Sequence, residues 1–170
     1  MKKIKLVIVG CAGRMGKQLI KEMQNFKNID LLAAIEKKNS PSINKNIKKI
    51  KITSNKETAF RKADTIIDFS QPESTLETVR YATKLKKKLV IGTTGLNSSQ
   101  ISKIKNASKK IAIVFAPNMS IGINLLMEFV DKVSNILFNN NTSVEILDIH
   151  HKNKKDAPSG TALALGNAVA

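Results

Sequence analysis

The sequence predicts an α/β fold: a doubly wound parallel sheet followed by a smaller α+β segment that is incomplete. Two observations carry this. Short apolar runs alternate with segments of helical periodicity from Ile4 to Phe115, as strands and covering helices do in a parallel sheet. After Ala116-Pro117-Asn118 that alternation gives way to one long amphipathic stretch and a single alternating run. The boundary is therefore placed at 118, with residues 1–118 as the first domain and 119–170 as the beginning of a second.

Each element has its own signal. Ile4–Val9 is an apolar run closed by glycine, the pattern of a strand buried on both faces. Met15, Leu19, Met23 and Phe26 recur at helical spacing and predict a helix with that stripe buried. Asp30–Ile35 is the second strand. Between Glu36 and Lys56 periodicity fades among Lys37, Lys38, Lys45, Lys48, Lys49 and Lys51, which predicts a solvated connection with at most a short strand. Thr65–Phe69 is the third strand. Ser70-Gln71-Pro72-Glu73 reads as a capping box with proline in the first turn, opening a helix to about Leu85. Leu89–Ile91, a helix from Ser98 to Ser108, and Ile111–Phe115 complete a set of five strands. Beyond them Ile121, Leu125, Phe129, Val133 and Leu137 mark a long helix, Thr142–Ile149 alternates as a strand does, and a last helix begins at Gly160. One strand and two helices in roughly 50 residues bury too little surface to stand as a core alone.

Composition narrows the function. Apolar residues make up 42% of the chain and charged residues 25%, a globular balance rather than a disordered one. No apolar run reaches the roughly 20 residues of a membrane span. The lysine-led amino terminus runs into GCAGRMG without a small-residue cleavage pattern, so it reads as a strand and not as a secretion signal. One cysteine, Cys11, excludes an internal disulfide framework and a multi-cysteine zinc site, and both histidines lie in one dipeptide. A cytoplasmic, metal-free protein is expected. The formal charge of +16 arises from 26 lysines and three arginines. A solvated surface in a chain rich in lysine, isoleucine and asparagine accounts for it. The same field also draws in anions: a nucleotide cofactor, a carboxylate substrate or nucleic acid. Aromatic residues at 4%, without a stacking pattern or a helix-turn-helix or zinc-finger signature, argue against nucleic acid.

Three motifs carry chemistry. Gly10-Cys11-Ala12-Gly13-Arg14-Met15-Gly16 joins the first strand to the first helix, where glycines permit a tight turn and close approach of backbone to a pyrophosphate. Its spacing, G-x-x-G-x-x-G, departs from the common G-x-G-x-x-G. Glu36 lies 20 residues beyond Gly16 at the end of the second strand, where a carboxylate accepts hydrogen bonds from ribose hydroxyls. Lys37 and Lys38 beside it offer charge to a 2′-phosphate, so the cofactor is expected to be NADH or NADPH. Gly92-Thr93-Thr94-Gly95 sits at the carboxyl end of a strand, where ligands of open sheets bind. The richest segment is His150-His151-Lys152-Asn153-Lys154-Lys155-Asp156-Ala157-Pro158-Ser159-Gly160-Thr161. Histidine exchanges a proton near neutrality and Lys154 adds a cation or a proton donor. In a continuous strand His150 and Lys154 would stand about 13 Å apart, so they act together only if the chain turns after His151. Gly160-Thr161 at a helix start suits a carboxylate.

GCAGRMG, IDFSQPEST, IGTTG, APNMSIGIN and HHKNKKDAPSGTALALG, in this order, resemble the dihydrodipicolinate reductase family of bacterial lysine and diaminopimelate synthesis. The resemblance covers essentially the whole chain, and the HHxxKxDAPSGTA string is its most specific part. It implies a Rossmann-like first domain and NAD(P)H-dependent reduction of 4-hydroxy-tetrahydrodipicolinate, a small dicarboxylate, to tetrahydrodipicolinate. It further implies cofactor contacts from Gly10, Cys11, Ala12, Gly13, Arg14, Met15, Glu36, Lys37, Gly92, Thr93, Thr94, Ala116, Pro117, Asn118 and Met119. His150 would be the catalytic acid/base and Lys154 the proton donor, while His151, Gly160 and Thr161 would hold the substrate.

The sequence departs from the family in two ways. Asp148 stands where a glutamate is common, and family members, which are homotetrameric, continue well beyond the DAPSGTA helix with most of the second sheet and the subunit interface. The chain is accordingly expected to be shortened, with residues 119–170 poorly ordered in isolation and reductase activity weak or absent. Two readings stand beside the enzyme: a catalytically dead cofactor-binding remnant, and a basic nucleic-acid-binding domain.

Overall fold

The computed structural model describes residues 3–116, 118–137, 143–150, 152 and 157–169. The chain divides into two compact units, Met1–Phe115 and Ala116–Ala170. The first is built on a sheet of seven strands: β1 (Ile4–Val9), β2 (Ile29–Ile35), β3 (Asn46–Ile47), β4 (Ile50–Thr53), β5 (Thr65–Asp68), β6 (Lys88–Ile91) and β7 (Ile113–Phe115). Their order is β3-β4-β2-β1-β5-β6-β7, parallel throughout except for the β3–β4 hairpin. The chain moves outward from β1 to β2 and β4, then returns to the other side of β1 for β5, β6 and β7. The reversal opens a crevice at the carboxyl ends of β1 and β5.

Alternation along β1 explains why the sheet is covered on both faces. Leu6 and Ile8 join one cluster with Ile20, Met23, Ala34 and Ile52, under helix α1 (Arg14–Glu22). Val7 and Val9 join the other, with Ile35, Phe60, Ile66, Val79, Leu89 and Ile104. That face is covered by α2 (Lys56–Arg61), α3 (Pro72–Lys84) and α4 (Ser98–Ser108). A strand buried on both faces must be apolar at every position, and Leu6–Val9 is. The register of β1 against β2 shifts between Leu6 and Val7: Leu6 faces Leu31 but Val7 faces Ala33, which leaves Leu32 as an extra residue on β2.

Several expectations need correction. The sheet has seven strands, not five, because 36–56 is less solvated than its lysines suggest. Ile52 is buried, β4 extends the sheet beside β2, and Lys48 at φ 55° turns the hairpin. Helix α2 is a further element beyond those expected; Asn55 caps it by accepting the Thr58 N–H at 3.0 Å. Met15 and Phe26 are 48% and 52% exposed, so they are not core. The buried face of α1 and the 3₁₀ turn after it is Gly16, Ile20 and Met23, since the loop presses on the helix at Gly16. Ser70 does not cap α3 either. The N-cap is Gln71, and the Ser70 hydroxyl donates instead to Asp68 Oδ1 at 2.5 Å.

The second unit comprises α5 (Ile121–Leu137), an irregular exposed segment over 143–150, and α6 (Gly160–Val169). The expected strand Thr142–Ile149 does not form among the described residues; Thr142 lies outside them. A strand exists only through backbone pairing, and no described segment of this unit pairs with 143–150. Among the described residues its buried positions are Ser134, Ser159 and Ala162. No helix among the described residues is long and apolar enough to cross a membrane.

A candidate dinucleotide site and a candidate proton-transfer cluster

The loop between β1 and α1 turns on contacts that only glycine permits. Gly10 has φ +79°, and a Cβ there would lie 2.6 Å from the Phe69 carbonyl oxygen. At Gly16 a Cβ would lie 2.2 Å from the Gly10 carbonyl oxygen. The Gly10 and Cys11 N–H groups both donate to the Ile35 carbonyl, at 3.0 and 3.2 Å, which ties the loop to the end of β2. Glu36 follows directly. Its Oε2 accepts the Ala12 N–H at 3.1 Å and its Oε1 accepts the Lys37 N–H at 3.1 Å. A carboxylate oxygen has more than one acceptor site, so both oxygens retain capacity for a hydroxyl donor.

Gly10, Gly13, Glu36, Lys37, Phe69 and Ser70 line a cavity of about 270 Å³ at the crevice. Gly13 is the N-cap of α1 and offers no capping side chain, so the first-turn N–H groups there are available to an anion. Arg14 and Met15 begin the helix and are exposed. The Cys11 side chain is fully buried in the cluster beneath, so only its backbone belongs to the loop. Burial, with the Glu36 charge adding, pushes its thiol up to about 11.

The floor of the crevice holds a residue that the sequence motifs do not single out. Asp68, at the end of β5, is fully buried. Its Oδ1 accepts the Ser70 N–H at 2.9 Å and the Ser70 hydroxyl, while its Oδ2 has no partner among the described residues. The buried Thr75 and Thr93 hydroxyls bond each other at 2.8 Å. Gly92 lies under the Phe69 ring, where a Cβ would come within 2.0 Å of Cε1. Thr94 is exposed and Gly95 has φ +75°. A charged residue at the carboxyl end of the apolar run TIID was the signal for Asp68, since ligands of open sheets gather there.

In the second unit, Asn118 Nδ2 donates to the Thr161 hydroxyl at 3.2 Å, and its Oδ1 accepts the Ser120 N–H at 2.8 Å. Ala116 and Met119 flank it; Pro117 lies outside the described residues. Asp148 is the hub of a cluster. Its Oδ1 stands 2.7 Å from His150 Nε2 and accepts the Ser159 hydroxyl at 3.1 Å, while Oδ2 accepts the Ser159 N–H at 2.9 Å. The Ser159 oxygen in turn accepts the Ala162 N–H at 3.0 Å and so caps α6, which begins with Gly160 and Thr161. Ser159's N–H, then its hydroxyl and the His150 ring, hold the Asp148 carboxyl below the usual carboxylate range. His151 and Lys154 lie outside the described residues.

A parallel sheet with a strand-order reversal, a glycine-lined loop and an acid at the next strand's end define a Rossmann-like, dinucleotide-binding class of protein. Comparison with known proteins narrows this. The family profile described as "Dihydrodipicolinate reductase, N-terminus" matches residues 4–119, and "Dihydrodipicolinate reductase, C-terminus" matches 122–170. The chain belongs to the dihydrodipicolinate reductase family. It is 49% identical over 170 residues to the 4-hydroxy-tetrahydrodipicolinate reductase of Pelagibacter ubique, covering 100% of this chain and 64% of that one. The enzyme of the same name from Bordetella pertussis is 42% identical over 173 residues, covering 98% and 64%. The chain thus spans about 64% of the length of these curated relatives. Among solved structures, dipicolinate-bound dihydrodipicolinate reductase from Paenisporosarcina sp. TG-14 superposes with a TM-score of 0.75 at 27% identity, covering 99% of this chain and 66% of that one. A homoserine dehydrogenase of S. aureus, at 19% identity and TM-score 0.52 over 68% of this chain and 33% of that one, shares the fold alone.

Proposed function

We propose that the protein is a cytoplasmic NAD(P)H-dependent reductase acting on 4-hydroxy-tetrahydrodipicolinate in lysine and diaminopimelate biosynthesis. The observation that carries this reading is the family match across both units, with the glycine cradle and Glu36 in one and the His150 cluster in the other. The cradle fits a dinucleotide: side chains at Gly10, Gly13 and Gly16 would fill space or strike backbone, and Glu36 faces the same cavity as Lys37.

NAD(P)H, when bound, supplies the hydride. The chain's own residues do the rest. Gly10, Cys11, Ala12 and Gly13 shape the turn that receives the pyrophosphate, Arg14 and Met15 at the head of α1 offer it backbone N–H groups, and Glu36 accepts from the ribose hydroxyls. Lys37 gives a cation for a 2′-phosphate, so both cofactors are expected to bind. Gly92, Thr93 and Thr94, with Ala116, Pro117, Asn118 and Met119, complete the cofactor contacts. His150 exchanges the proton, Lys154 donates one, and His151, Gly160 and Thr161 hold a substrate carboxylate.

A coupled assay following NAD(P)H oxidation with freshly generated substrate tests this. His150→Gln should lower turnover by about 100-fold or more while leaving cofactor affinity unchanged, in line with the usual share of acid–base catalysis. Wild-type turnover in that variant would overturn the assignment. A salt-sensitive complex with nucleic acid that NADPH does not displace would favour the nucleic-acid reading instead.

A further inference from the structure

Asp148 meets three groups at once, and their chemistry constrains what His150 can do. Two of its bonds run to Ser159, one from the backbone N–H at 2.9 Å and one from the hydroxyl at 3.1 Å. Ser159 is 2% exposed and is itself fixed, because its oxygen also accepts the Ala162 N–H in the first turn of α6. The carboxylate is therefore anchored to a helix head rather than free to rotate in water. Its Oδ1 then stands 2.7 Å from Nε2 of His150. A carboxylate only accepts hydrogen bonds, so at that distance the nitrogen facing it must carry a proton. A neutral imidazole has one N–H, and placing it on Nε2 leaves the lone pair on Nδ1.

We propose that Asp148 is a positioning residue that holds the Nε2 proton of His150, so that Nδ1 is the nitrogen that exchanges a proton with substrate. The inference rests on the reading of His150 as the acid/base residue. Through Ser159 the same carboxylate couples the ring to the head of α6, where Gly160 and Thr161 begin. The ring that moves the proton and the helix end offered to a carboxylate thus share one anchor. In the protonated ring both nitrogens carry hydrogen; the Nδ1 proton leaves, and the Nε2 proton stays with Asp148. A glutamate at 148 keeps the acceptor on a side chain one methylene longer, whereas an asparagine offers the ring an amide without charge.

The test is imidazole ¹⁵N–¹H correlation NMR of the full chain, whose two histidines are assigned with a His151→Gln variant, beside turnover of the same samples. Wild-type His150 should give the nitrogen shifts of a single Nε2–H tautomer. Asp148→Asn should move them toward the two-tautomer average of a free imidazole and lower kcat at least about tenfold, with KM for cofactor unchanged. Asp148→Glu should restore the tautomer and most of kcat. A wild-type ring that already shows averaged or Nδ1–H shifts overturns the inference. So does an Asp148→Asn ring unchanged from wild type. Should Asp148→Asn lose its helical circular dichroism, the wild-type and Asp148→Glu rings decide the matter alone. A chain without turnover in any variant would count against the reductase reading and leave the tautomer result standing, so the two failures are distinguishable.

Discussion

Gly16 matters because of what lies against it. A methyl group there would meet the Gly10 carbonyl oxygen at 2.2 Å and Cys11 Cα at 2.7 Å, and backbone cannot swing aside as a side chain can. Gly16→Ala should cost about 1–3 kcal/mol or more, read from denaturant midpoints, and should weaken NADPH binding by displacing the loop. Cys11 gives a second residue-scale expectation. Its thiol is held protonated up to about 11 in the fold but ionises near 9 in an unfolded chain. The stabilisation is fully present below pH 9 and fades as pH rises to 11, about 3 kcal/mol in all. Iodoacetamide at pH 8 should leave the folded protein unmodified and label it once denatured; rapid labelling of native protein would show the loop to be open.

Elements with a local signature were legible in the sequence, and those that depend on neighbours were not. The helix expected over Ser98–Ser108 is α4, held there by a reciprocal cap: Asn97 Oδ1 accepts the Gln100 N–H, and Gln100 Oε1 accepts the Asn97 N–H, both at 2.9 Å. Asn97→Ala should lower stability by about 1 kcal/mol, with Asn97→Asp close to wild type in thermal melts. By contrast β4 has four residues and two lysines nearby, and it is a strand because Ala34 and Ile35 of β2 offer it an edge. Thr142–Ile149 shows the converse. Its alternation is strand-like, yet among the described residues nothing pairs with it. The candidate site divides in the same way. Gly10–Gly16 and His150 announce themselves in sequence, whereas Asp68 and Ser159 gain meaning only from partners brought together by folding.

For the whole molecule, charge is the dominant long-range term. A net +16 on 170 residues means that like charges repel throughout, relieved locally by pairs such as Lys84 and Arg61 with Glu57, or buried Lys56 with Glu77 at 2.7 Å. Lys56 also donates to the Ser74 carbonyl and hydroxyl, so its three protons have three acceptors. Raising salt from about 50 to 500 mM should screen the repulsion and raise Tm, while weakening the affinity for anionic NADPH. A dinucleotide affinity independent of salt would show that the field plays no part in capture.

The extra residue on β2 has a consequence far from where it sits. The bulge at Leu32 takes up one residue of β2, so that Ile35 stands beside Val9 and Glu36 arrives level with the loop it grips through Ala12. Were Leu32 paired in unbroken register instead of bulged, Ala34 would oppose Val9, and Glu36 would project one position later and toward the opposite face of the sheet. The bulge therefore decides which residue of β2 meets the end of β1, and with it where the carboxylate stands. Deleting Leu32 would leave Ile35 beside Val9 and Glu36 in place, whereas inserting one residue after Ala33 would carry the carboxylate one position past the loop, and the expected result of the insertion is a folded chain with weakened NADPH binding.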